Sequence, residues 1–123
     1  MLNLKQQTDI QTLYITRTKK TPSGVTSWDF IAISRSTGVR TSGLLNLISE
    51  DNRVLEFQIY INQSETYNID LDGGGFYDFQ LIANINSEEE LMTSGLMYYD
   101  LNGGEGDVIY NTFGDTSTFK GYE

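Results

Sequence analysis

The sequence predicts an all-β protein: an antiparallel β-sandwich, immunoglobulin-like or jelly-roll, of about seven to eight strands. Three observations predict it. Apolar residues recur with a period of two along most of the chain. Turn-forming residues punctuate it at short, regular intervals. No segment keeps the period of an amphipathic helix for long enough to be stable on its own.

Residues 1–10 read as an N-terminal arm, with Leu2, Leu4 and Ile10 set among polar residues. The first clear strand follows, where Leu13 and Ile15 alternate with Tyr14 and Thr16. Thr21-Pro22-Ser23-Gly24 is a turn signal, since proline fixes φ and glycine accepts a positive one. Trp28, Phe30 and Ala32 then share a face opposite Asp29, Ile31 and Ile33. Ser36-Thr37-Gly38 and Glu50-Asp51-Asn52 mark further turns. Leu55, Phe57, Ile59 and Ile61 lie on one face, against Glu56, Gln58 and Tyr60 on the other.

Tyr67, Ile69 and Leu71 form the next alternating set, and Asp72-Gly73-Gly74-Gly75 turns the chain into Tyr77, Phe79, Leu81 and Ala83. Ser87-Glu88-Glu89-Glu90 has the form of a capping box, enough for one helical turn. Leu91–Tyr99 follows as a last strand. Residues 1–102 are thus expected to make the sandwich domain. Residues 103–123 form a tail with five glycines and the aromatics Tyr110, Phe113, Phe119 and Tyr122. Such a tail is expected to dock on a neighbouring subunit, with its own domain as the other possible home.

Composition excludes several classes of function. There is no cysteine and no histidine, so no disulfide framework, no thiolate, no common general base and no common zinc ligand. The chain is therefore expected not to be an enzyme and to need no cofactor. No apolar run reaches the roughly 20 residues of a membrane helix. No secretory signal opens the chain, so synthesis and use on the cytoplasmic side are expected. Residues 1–53 carry a net charge of +3 and residues 54–123 a net charge of −12, for a total of −9. An acidic chain is a poor ligand for phosphate backbones, so no nucleic-acid partner is expected.

Two glycine-rich segments are candidate ligand loops. Asp70-Leu71-Asp72-Gly73-Gly74-Gly75 begins like a calcium loop, but the third ligand slot is Gly74 and the twelfth is Leu81. A turn is the better reading there and at Asn102-Gly103-Gly104-Glu105-Gly106-Asp107. The remaining binding signal is aromatic. Tyr14, Tyr60, Phe76 and Tyr98 fall opposite the main apolar set of their strands, as interface anchors, plain core residues of a strand covered by a loop, or sugar platforms do.

Three stretches carry a resemblance: Arg53-Val54-Leu55-Glu56-Phe57-Gln58-Ile59-Tyr60, Tyr67–Leu71 with Gly75-Phe76-Tyr77-Asp78-Phe79, and Glu90–Met97. Over about residues 25 to 101 the chain resembles small β-sandwich virion proteins of tailed bacteriophages. It departs from their pattern at Leu91-Met92-Thr93-Ser94-Gly95, where no acid precedes the strand glycine, and in its glycine-rich tail. The resemblance implies a non-enzymatic structural role, as capsid decoration, fibre base or head–tail connector. It implies the major capsid protein or other virion proteins as partners, a homo-oligomer or symmetric assembly, and residence in the virion. The candidate interface is then Tyr14, Tyr60, Phe76 and Tyr98, with Tyr110, Phe113, Phe119 and Tyr122 from the tail.

Overall fold

The computed structural model describes residues 1–101. They form eight strands and no helix: β1 (Leu2–Lys5), β2 (Gln11–Thr16), β3 (Val25–Ser34), β4 (Arg40–Glu50), β5 (Val54–Ile61), β6 (Asn68–Ile69), β7 (Gly75–Ile85) and β8 (Glu88–Asp100). The order across the sheet is β1-β8-β7-β3-β4-β5-β2, with β6 beside β5. The sheet is mixed rather than purely antiparallel, because β1 runs parallel to β8 and β6 parallel to β5. It curls until it is nearly barrel-shaped.

The interior follows the period-two pattern. Leu13 and Ile15 of β2, Trp28, Phe30 and Ala32 of β3, and Leu55, Phe57, Ile59 and Ile61 of β5 all point into one core. Tyr77, Phe79, Leu81 and Ala83 of β7 and Met97 and Tyr99 of β8 complete it from the other side. Trp28 meets Phe57 edge-on with ring centroids 5.3 Å apart, and Phe30 lies 5.7 Å from Phe79. The first contact bridges β3 and β5, which are not neighbours, and the second joins the adjacent β3 and β7, so the rings pack across the filled centre of the curled sheet.

β4 provides the bend. Its first half pairs with β3 through Arg40–Leu45, and its second half pairs with β5 from Asn46 onward. Where β4 leaves β5, the two-residue β6 fills the wedge, and Gly43 makes room for it. A Cβ on Gly43 would lie 2.2 Å from the Asn68 carbonyl oxygen and 2.7 Å from the Ile69 Cβ. Bulges at Ile48 in β4 and Met92 in β8 add local twist. The Met92 bulge turns both Met92 and Thr93 inward, where they are buried.

The anticipated helical turn at Ser87–Glu90 is not formed. Ile85 pairs with Glu88 across Asn86 and Ser87, and β8 starts at Glu88. Asn86 takes a positive φ of 57°, which an asparagine tolerates and a two-residue hairpin needs. The long pairing with β7 outweighs the local cap.

Between β1 and β2 the curl is closed by side chains instead of a strand ladder. The Gln11 amide accepts a hydrogen bond from the Lys5 N–H at 3.1 Å and donates one to the Lys5 carbonyl. It thereby mimics a peptide group of the missing neighbour. Further along the seam the Thr18 hydroxyl donates to the Met92 carbonyl at 2.8 Å, and Lys19 pairs with Glu90 at 2.9 Å.

Candidate interaction surface

The outward faces of the two halves differ in chemistry. Around β2 and β5, outward positions are Thr12, Tyr14, Thr16, Glu56, Gln58 and Tyr60, mostly polar. Around β3, β7 and β8 apolar and polar side chains share the outward positions about equally, with far more Ile, Leu and aromatic residues than on the other half. Four cross-strand rows can be read from the register. Leu44, Asp29, Ile82 and Leu91 make one, and Ser42, Ile31, Gln80 and Ser94 the next. Arg40, Ile33, Asp78 and Leu96 follow, then Phe76, Tyr98 and Asn3.

Phe76 and Tyr98 face each other across β7 and β8, with centroids 5.0 Å apart and planes at 60°. Phe76 remains 48% exposed. The glycine turn places it there: Gly75 adopts a φ of 119°, which sets the start of β7 so that Tyr77 goes inward and Phe76 outward. Beside the pair, Arg35 holds Asp78 through two nitrogens, the closer contact being 2.9 Å. The Asp78 carboxylate raises the Arg35 pKa by hydrogen bonding and by charge.

The other aromatics expected at an interface do not join this pair. Tyr14 is highly exposed on β2, where its cross-strand neighbour is Glu56. Tyr60 is half-buried on β5, and its N–H donates to the Tyr67 carbonyl at 2.7 Å. Among the described residues neither ring stacks with another. Tyr110, Phe113, Phe119 and Tyr122 lie outside the described residues.

The Asp70–Gly75 segment works as a turn. Asp70 accepts a hydrogen bond from the Asn68 side chain at 3.1 Å, and the Tyr77 hydroxyl donates to the Gly73 carbonyl. Burial pushes the Tyr77 pKa above its ordinary value, with the charges of Tyr99 and Asp72 adding to it. Among the described residues no three metal-ligating side chains converge. Asn62, at a φ of 57°, acts as a second backbone mimic: its side chain accepts from the Leu71 N–H at 2.7 Å and donates to the Leu71 carbonyl at 2.9 Å.

An open cleft of about 320 Å³ lies on the seam, lined by Thr18, Lys19, Leu91, Met92, Thr93 and Ser94. Its one ammonium group is tied to Glu90. The cleft therefore offers hydroxyls and apolar wall, with no nucleophile–base pair among its lining residues.

Alternation placed Ile31 and Ile33 opposite the core face of their strand, but did not show that Leu44, Ile82, Leu91 and Leu96 share that outward side with them. The signal was present in Phe30-Ile31-Ala32-Ile33 and Leu81-Ile82-Ala83, which are apolar at every position. Compared with family models, with curated proteins and with solved structures, the chain matches none.

Proposed function

We propose that the chain is a non-enzymatic structural protein of a tailed-bacteriophage virion. In this reading it decorates and stabilises a capsid through protein–protein contacts, with a head–tail connector or fibre-attachment role as the alternative within that class. The near-barrel is then kin to an immunoglobulin-like or jelly-roll sandwich, with β4 giving one half to each layer. Its partners are the major capsid protein or other virion proteins, in a symmetric assembly. No cofactor is required.

The observation that carries the reading is the outward Phe76–Tyr98 pair on an apolar wall. Aromatic side chains half-covered by each other and ringed by polar groups are what interface anchors look like before a partner arrives. The tilt of 60° between the rings favours a protein partner over a sugar, because a sugar platform is usually one flat face. The sharper charge split, basic before residue 54 and acidic after it, supports orientation of the domain by electrostatics.

Mass spectrometry of purified particles from the producing culture tests the proposal. The chain is expected in the particle at a copy number set by icosahedral or portal symmetry. Its absence from particles overturns the virion role. Saturable glycan binding by the free protein would put a carbohydrate-binding module in its place.

A further inference from the structure

We infer that the apolar outer wall of β4, β3, β7 and β8 is a self-complementary interface that pairs with the same wall of a second copy of this chain. The inference deepens the self-assembly part of the proposed function and does not depend on the virion.

Three features of the wall point to a second copy. The first is continuity. Ile31, Ile33, Leu44, Ile82, Leu91, Leu96, Phe76 and Tyr98 occupy adjoining rows on the outward side, while Ile31 and Ile82 belong to no part of the contiguous core. Ile31 and Ile82 are only 6% and 7% exposed, so they underlie the wall and the accessible apolar surface comes from Leu44, Leu91, Phe76 and the partly buried Ile33, Leu96 and Tyr98. Leu91 and Phe76 are 47% and 48% exposed at the two ends. Apolar surface of this extent on one side of a charged chain marks a contact site.

The second feature is charge. The molecule carries −9, yet the four rows and their flanking loop hold Asp29 and Asp78 against Arg35 and Arg40, two acids and two bases. The next row continues the balance, with Lys5 opposite Asp100. The acid run Glu88-Glu89-Glu90 begins only past the last row. A twofold contact sets a surface against itself, so any net charge on it is doubled into repulsion. A balanced wall on an acidic molecule meets that requirement. The bases of one copy can face the acids of the other.

The third is size. Four strands about 4.8 Å apart, along rows spanning about 25 Å, give roughly 480 Å² per copy and about 960 Å² for the pair. That lies below the range of stable specific interfaces and within that of transient ones, so the pairing is expected to be weak, in the micromolar range or above. Two such walls would pack as stacked sheets about 10 Å apart.

The test is sedimentation velocity on the full chain across a micromolar concentration series. The mass is expected to rise from one chain to two. Leu96→Glu should leave it at one chain at every concentration, while Tyr14→Glu, on the polar face, should leave association unchanged. Because a charged residue at Leu96 could disturb folding, two further variants guard the result. Arg40→Glu should weaken association at least tenfold, and Arg40→Glu combined with Asp29→Arg should restore it. The chain has no cysteine, so Gln80→Cys in the middle of the wall should be joined to its copy by a short bifunctional thiol cross-linker that spans the roughly 10 Å between stacked sheets, and Gln58→Cys should not. A chain that stays monomeric throughout overturns the inference. So does a dimer broken by Tyr14→Glu and indifferent to Leu96→Glu. A dimer absent from particles would sink only the virion reading, and a monomer found in particles would sink only the pairing.

Discussion

Single residues in this protein do their work by what they lack as often as by what they carry. Gly43 has an ordinary backbone conformation but no room for a side chain, because β6 crosses it at backbone distance. Gly38 is the converse: its φ is 77°, and nothing lies within 4 Å of the missing Cβ. Gly43→Ala is therefore expected to cost about 3 kcal/mol or more, since backbone atoms of β6 must shift. Gly38→Ala should cost about 1 kcal/mol, the left-handed penalty alone. Urea denaturation of the two variants tests the order. The two tyrosines at the turn set an alkaline limit. Burial raises both Tyr77 and Tyr99 above the ordinary value of 10.0. Raised folded pKa values mean that the neutral phenols favour the fold. This contribution is fully present below pH 10.0 and is lost as pH rises through the folded values. Stability followed by circular dichroism should fall above that pH, and less steeply in Tyr77→Phe than in the parent chain.

At the scale of strands, the seam is the weak element. β1 has four residues, and its link to β2 rests on one glutamine amide. Gln11→Leu keeps the bulk and removes both hydrogen bonds, leaving Lys5 backbone groups without that partner. A loss of about 1–3 kcal/mol is expected. Hydrogen exchange should speed up at Leu2–Lys5 while the β3 and β7 amides keep their protection. How far each element could be read from the sequence follows the same physics. β2 and β5 were legible because each buries one face and alternates cleanly, and β3 and β7 were legible from the alternation outside their all-apolar stretches. β4 was not, since adjacent Leu44 and Leu45 and the bulge at Ile48 break the period. β1 is too short to show one and is held by a parallel partner 95 positions away at Leu2 and Met97. The Ser87 cap was a real local preference that the β7–β8 hairpin overrode. At the candidate site, Phe76 and Tyr98 were legible by alternation, but their pairing was not, because register is set by Gly75 and the Met92 bulge together.

At the scale of the molecule, the curl places a polar wall on one side and, on the other, a wall where apolar side chains alternate with charges of both signs. The closure between β1 and β8 has a mechanical meaning as well. Leu2 sits beside Met97 and Lys5 beside Asp100, so the two strands run side by side in one direction. Traction applied to Met1 and to Leu101 pulls β1 and β8 past each other lengthwise. Every bond of a parallel ladder then bears load together, rather than opening one after another as in an unzipped hairpin. Force spectroscopy should record a higher rupture force with handles at Met1 and Leu101 than with handles that peel β7 from β8 at Gly75 and Tyr99. A small domain held by its two ends would thus behave as a tension-bearing clip, whatever it is fastened to.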